Sequence, residues 1–220
     1  MSFKQWIDRF EAVLFDYNGT LSNDEYILEK SYDQALRSLD LKPLAEGEYS
    51  SLLGRSDPEI ASALLLARKD DRYSRLVEEL SHAYKCAVHF HPTISDATIT
   101  FANALIASGK QATVVTGTFR ELLQGGLQQA QLGDLEKHSV TIEDVANGKP
   151  DPEGFLIATK RLGVDAEKAV GFEDSHAGVS ALGAAGIPAI GIGPHVAGHP
   201  NVIFHFESMD EAARAYSLPE

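Results

Sequence analysis

Five short apolar runs punctuate the chain: AVLF (12–15), ATVVT (112–116), KAVGF (168–172), PAIGI (188–192) and VIFHF (202–206). Each is brief, rich in Val or Ile and flanked by polar or Gly residues, as buried strands are. SVTI (139–142) is a weaker sixth candidate. Helical patterns lie between them: SDATITFANALIASG, FRELLQGGLQQAQLG, PEGFLIATKRLGV and SHAGVSALGAAG. Several of these end at Gly, which closes a helix at little conformational cost. Strands alternating with helices predict an α/β fold: a Rossmann-like parallel sheet with helices on both faces. Ligands of such sheets bind outside the carboxyl ends of the strands.

The alternation breaks between Ser22 and about His91, where no convincing strand occurs. Three helical patterns stand there instead: YILEKSYDQALRSLD, SDPEIASALLLARKD and DRYSRLVEELSHAYKCAVHF. The expected organisation is therefore a catalytic core of residues 1–21 and 92–220 with an inserted all-helical cap over residues 22–91. An insertion directly after the first strand is well placed to act as a lid.

Composition narrows the class. The 220 residues suffice for one domain with an inserted module, and 44% hydrophobic with 23% charged residues is ordinary for a globular chain. A formal charge of −13 argues against a partner that is nucleic acid. The single cysteine, Cys86, excludes a disulfide framework and a cysteine-rich zinc site. The start, MSFKQWIDRF, is too polar for a secretory leader, and no apolar run approaches membrane-spanning length. The expectation is a soluble cytoplasmic protein that meets no membrane.

Four pieces of chemistry fall at predicted strand ends. Asp16 follows VLF, where a carboxylate is a nucleophile, a metal ligand or only a turn cap. Asn18-Gly19 beside it suits a turn, because both residues tolerate positive φ. Thr116-Gly117-Thr118 follows ATVV and offers a hydroxyl and backbone N–H groups to an anion, or a plain helix cap. Arg120 sits in the next helical turn, where its charge opposes the helix dipole. Lys149, in GKPDPEGF, is held before Pro150 in a non-helical segment. It can clamp a phosphoryl group or crowded carboxylates, or lie solvated in a turn. Glu173 and Asp174 end KAVGF as an acid pair suited to Mg²⁺, with Asp174 or Ser175 also able to cap the next helix. Each feature has an ordinary structural explanation alone. Together they supply nucleophile, anion holder, charge neutraliser and metal site, the parts needed for phosphoryl transfer.

Those residues carry a resemblance. FDYNGTL, VVTGT, GKPDPEGF and GFEDSHAGV are similar, in order and spacing, to the four signatures of the haloacid dehalogenase superfamily. The likeness is to its phosphatase and β-phosphoglucomutase-like branch with a helical cap after strand one. The resemblance implies an Mg²⁺-dependent phosphatase of a small phosphorylated metabolite. Asp16 would attack phosphorus to form an aspartyl phosphate. Asp16, the backbone carbonyl of Asn18 and Asp174 would hold Mg²⁺, with Glu173 behind them. Thr116, Gly117 and Lys149 would bind the phosphoryl group.

Asn18 departs from the pattern, since the family's phosphatases carry an aspartate there as general acid and base. An amide can do neither, and such catalysis is typically worth about 10²–10⁴ in rate. Metal and phosphate binding are expected to survive, with turnover impaired or rerouted. Three explanations stay open: an engineered replacement, a natural residue relieved by another group (Glu25, Tyr26, His89 or His91), or partial deamidation of Asn18-Gly19. The alternatives in function are a sugar phosphomutase of the same fold and a non-catalytic phosphometabolite-binding homologue. The dehalogenase branch fits less well, since it has no need of a metal site. So does the phosphonate-cleaving branch, which needs a cap lysine as a Schiff base where this chain has Arg55 in LLGRSDPEI. Arg55 either binds a second anionic group or belongs to the loop capped by Ser56 or Asp57. His89 and His91 are expected to be hinge histidines rather than metal ligands, and His176 to be exposed.

Overall fold

The computed structural model describes residues 1–217. Among them, five strands form one parallel sheet: β1 (Ala12–Phe15), β2 (Gln111–Val114), β3 (Ala169–Glu173), β4 (Ala189–Ile192) and β5 (Val202–Phe206), in the order β2-β1-β3-β4-β5. β1 lies inside the sheet between β2 and β3, Phe15 pairing with Val114 on one side and Phe172 on the other. Its four residues are all buried because both faces are covered. Val13 and Phe15 enter one core with Val170, Phe172 and Ile190, while Ala12 and Leu14 enter the other with Ala169 and Ala189. A strand with side-chain period two and helices on both sides must be apolar throughout, which is why AVLF shows no alternation.

The covering helices are α5 (Asp96–Ala107), α6 (Arg120–Gln129), α7 (Glu153–Leu162), α8 (His176–Ala184) and α9 (Met209–Ser217), with a short α1 (Phe3–Ile7) before β1. Of these six, α1 and α9 fall outside the helical patterns predicted from the sequence. They are held by aromatic contacts, Phe3 against Phe204 and Phe206, and Phe101 of α5 against Tyr216. α7 ends at Gly163, whose φ of 68° suits a residue without a Cβ.

The segment between β1 and α5 is helical, as predicted: α2 (Glu25–Ser38), α3 (Asp57–Arg68) and α4 (Tyr73–Phe90). It builds its own apolar cluster around Tyr32, Leu36, Leu64, Leu76 and Leu80. Phe119 and Leu122, at the start of α6, complete that cluster and seat the segment on the sheet-bearing part.

Two strand expectations need correction. β2 stops at Val114, not residue 116: Val115 N–H donates to Phe15 O at 2.8 Å, and Thr116 N–H turns away to Val140 O at 2.9 Å. SVTI (139–142) is no sixth strand. It contributes an isolated bridge, Val115 with Val140, and then a 3₁₀ turn over Ile142–Asp144. Asp144 causes the turn by accepting the Thr141 N–H at 2.9 Å, a cap that competes with further sheet pairing. No described helix is long and apolar enough to cross a membrane.

Candidate active site

Asp16 is the first residue past β1, anchored by its N–H to Phe172 O at 2.9 Å and only 6% exposed. The next six residues form a tight loop. Ser22 N–H returns to Tyr17 O at 2.8 Å, and Gly19 N–H donates to Ser22 O at 2.8 Å. Gly19 alone in this turn has positive φ, 78°; Asn18 does not. A Cβ at Gly19 would stand 2.3 Å from Asp174 Oδ2, so glycine is required for the close approach as well as for the turn.

Lys149 reaches across from the loop before α7. Its Nζ donates to Asp16 Oδ1 at 2.5 Å and to Glu173 Oε1 at 3.0 Å, with the lysine side chain 16% exposed. Burial disfavours the ammonium, yet the two carboxylates outweigh it and raise its pKa above the ordinary lysine value. Glu173 ends β3 and Asp174 follows it. Burial first, and then the charge of Asp16, push both carboxyl groups above the usual carboxylate range. The cap of α8 is supplied by Ser175, whose Oγ accepts Gly178 N–H at 3.0 Å, so Asp174 is free of the capping role. Glu173 is clasped from below: a Cβ at Gly178 would fall 2.0 Å from its carboxyl carbon.

Thr116 and Gly117 complete the floor. Thr116 Oγ1 accepts Thr118 N–H at 3.1 Å, which leaves the hydroxyl proton to donate to a ligand. A cavity of about 540 Å³ opens above Asp16, Asn18, Thr116, Lys149 and Asp174, and Arg55 stands on its wall. Arg55 is exposed in the loop before α3, whose N-cap is Ser56, in a reciprocal cap with Glu59. Arg120 lies outside this cavity and pairs with Asp144.

The residues fit a hard divalent cation. One carboxylate oxygen from each of Asp16, Glu173 and Asp174 lies within 4.8 Å of the others. Three carboxylates against one ammonium leave two excess negative charges when all are ionised. The Gly19 contact shows a cradle that a Cβ would fill.

Asn18 has an unexpected neighbour. Its Nδ2 donates to Asp24 Oδ2 at 2.9 Å, and the same oxygen accepts Tyr84 Oη at 2.5 Å. Asp24 is fully buried, and that burial pushes its carboxyl up to about 7. Of the groups considered as substitutes for the missing acid, Glu25 lines the cavity, while Tyr26, His89 and His91 are exposed and do not. His176 is exposed, as expected. Two functional candidates escaped sequence reasoning. One is Asp24, whose location in NDEYILEK resembles an ordinary helix start. The other is Asp57, which accepts Thr118 Oγ1, Phe119 N–H at 3.2 Å and Tyr32 Oη at 3.0 Å.

A family model for haloacid dehalogenase-like hydrolases matches residues 10–186. The chain belongs to that family of hydrolases, as the four signatures implied. Among its relatives is the phosphorylated carbohydrates phosphatase of Thermotoga maritima, 31% identical over 82% of this chain and 83% of that protein. Another is the validoxylamine A 7'-phosphate phosphatase of Streptomyces hygroscopicus subsp. limoneus, 27% identical over 83% of this chain and 85% of that protein. The same fold occurs in CbbY from Rhodobacter sphaeroides, a variant of which was solved with xylulose 1,5-bisphosphate. It has a TM-score of 0.80, 20% identity, and coverage of 92% of this chain and 96% of that one.

Proposed function

We propose that this hydrolase is an Mg²⁺-dependent phosphatase of a small phosphate monoester, working through an aspartyl phosphate on Asp16. As a phosphoric monoester hydrolase of phosphorylated small molecules it is in keeping with its phosphatase relatives. The observation that carries the finer reading is Lys149 bridging Asp16 and Glu173 beside Asp174, the three acids standing at the carboxyl ends of the adjacent strands β1 and β3. Asp16, the Asn18 backbone carbonyl and Asp174 would hold the ion, with Glu173 behind them. When bound, the ion would offset the repulsion between a carboxylate nucleophile and a phosphate dianion. Lys149 offsets the same repulsion through its contact with Asp16, and Thr116 and Gly117 donate to the phosphoryl oxygens. Asp16 attacks phosphorus, the P–O ester bond breaks, and the leaving oxygen takes a proton from water because the Asn18 amide has none to give at neutral pH. Water then cleaves the acyl phosphate, returning the Asp16 carboxylate and inorganic phosphate. The helices over residues 22–91 serve as the cap that carries Arg55 and excludes bulk water.

The test is a screen of phosphate monoesters with Mg²⁺, run on this chain and on Asn18→Asp in parallel. Release of phosphate that is lost on chelation, and faster in the variant, is expected. Absence of metal-dependent release from both proteins would sink the hydrolase reading, and tight phosphate binding without turnover would make the chain a binding protein. Stimulation by a sugar bisphosphate would favour a phosphomutase instead.

A further inference from the structure

A buried carboxylate needs partners, and Asp24 has an unusual set. Oδ2 accepts both Asn18 Nδ2 and Tyr84 Oη, while Oδ1 is buried with no hydrogen-bond partner among the described residues. Each such group in a native structure calls for a reason. Tyr84 Oη lies 3.2 Å from Tyr17 Oη. Since Tyr84 spends its one proton on Asp24, Tyr17 must be the donor in that contact. Polarity therefore runs from Tyr17 to Tyr84 to Asp24, and from Asn18 to Asp24. The circuit begins and ends on adjacent residues, the two that follow Asp16.

The surroundings are built for this circuit. A Cβ at Gly126 of α6 would lie 1.6 Å from Tyr17 Oη, so glycine in mid-helix makes room for that hydroxyl. Tyr84 comes from α4, in the helical segment after β1, and Asp24 is the residue before α2. Asp24 and Tyr84 do not line the cavity, whereas Asn18 does. Asp24 therefore cannot touch substrate in this arrangement. It can act only through the Asn18 amide.

The consequence is a fixed amide orientation. The nitrogen of a primary amide and its oxygen diverge from one carbon. One Nδ2 proton goes to Asp24, which fixes the flip of the amide and directs Oδ1 away from Asp24, and Oδ1 can only accept a hydrogen bond. We propose that Asp24 is a positioning residue: it turns the Asn18 carbonyl oxygen toward the reaction centre, where that oxygen orients the water or leaving hydroxyl. Asn18 and Asp24 thus act as one unit, with the carboxylate one hydrogen bond behind the amide instead of in front. This rests on the hydrolase reading of the same site.

The unit predicts that Asn18→Asp alone, although faster than the parent, falls short of the exchanged pair. Asn18→Asp alone sets two carboxyl groups within hydrogen-bond distance of each other, and like charges so placed cannot both ionise freely. Exchanging the pair, Asn18→Asp with Asp24→Asn, restores one donor amide facing one acceptor carboxylate. The experiment is a double-mutant cycle on these four proteins, reading kcat and KM for the best ester of the screen, with urea unfolding as a parallel measurement. Expected is a kcat for the exchanged pair above that of Asn18→Asp alone by about tenfold, within the coupling range of contacting residues. Asp24→Asn alone is expected to lower kcat while leaving KM close to the parent value. If Asp24→Asn does not fold, Asp24→Ser takes its place with the same readouts. Effects on kcat that simply multiply, or an Asp24 variant that loses stability with kcat intact, would overturn the positioning role. Turnover absent in all four proteins would instead overturn the hydrolase reading, which the screen tests separately.

Discussion

Lys149 is the residue on which the proposed chemistry of the site depends most visibly. Its ammonium stands between Asp16 and Glu173, and no other described cation pairs with either carboxylate. Lys149→Met keeps the stem and removes the charge. Loss of one electrostatic stabiliser of a developing charge typically costs about 10²–10³ in kcat, and that fall is expected in steady-state phosphate release. The signal for this residue was legible in the sequence: a lysine fixed before proline, in the non-helical segment that precedes the PEGFLIATKRLGV helix. Asp24 was not legible. Nothing in SNDEYILEK separates a helix-start carboxylate from one that is fully buried and bonded to Asn18 and Tyr84, 60 residues further on.

At the scale of elements, the turn at Ile142–Asp144 ties two helices to the floor of the site. Asp144 pairs with Arg120 of α6 and, at 2.8 Å, with Arg161 of α7. Partial burial works against the ionised carboxyl, but the hydrogen bond from Arg161 and the two guanidinium charges prevail and lower its pKa from 3.8 to about 2. A depressed acid stabilises the fold above its unfolded value and loses that contribution as pH falls toward the folded one. The difference in melting temperature between the parent and Asp144→Asn is therefore expected to be constant above about pH 4 and to vanish below about pH 2. A difference that grows on acidification would contradict the clamp. Sequence periodicity suggested a strand here because Val140 and Ile142 are β-branched. The local cap formed by Asp144 decided otherwise, and a cap of that kind depends on a rotamer, not on a pattern.

Across the molecule, the helical segment meets the sheet-bearing part at the loop of Thr116, Gly117 and Thr118. Asp57 N–H donates to Gly117 O at 3.1 Å, and the Asp57 carboxylate accepts from Thr118 and Phe119. Asp57→Ala leaves two buried hydroxyls and one N–H without this acceptor. A loss of about 1–3 kcal/mol in unfolding free energy is expected from urea melts, with Asp57→Asn recovering part of it. A raised KM should accompany Asp57→Ala, because Arg55 and Ser56 of the same loop line the cavity. An unchanged KM would mean that the loop holds its place without the carboxylate.

The sequence by itself determined the alternation of strands and helices and the helical interruption after the first strand, and it singled out Asp16, Thr116, Lys149, Glu173 and Asp174 as candidates, which the fold brings around one cavity. It could do so because a buried parallel strand writes a continuous apolar run, and a polar residue at its tip stands out against that run. Only the tertiary structure decided what surrounds Asn18. The contacts Asn18–Asp24, Asp24–Tyr84 and Tyr84–Tyr17 join residues as far as 67 positions apart, and each donor or acceptor is ordinary in its own local context. Burial turns an ordinary acid into one that must find partners, and burial is a property of the packed chain.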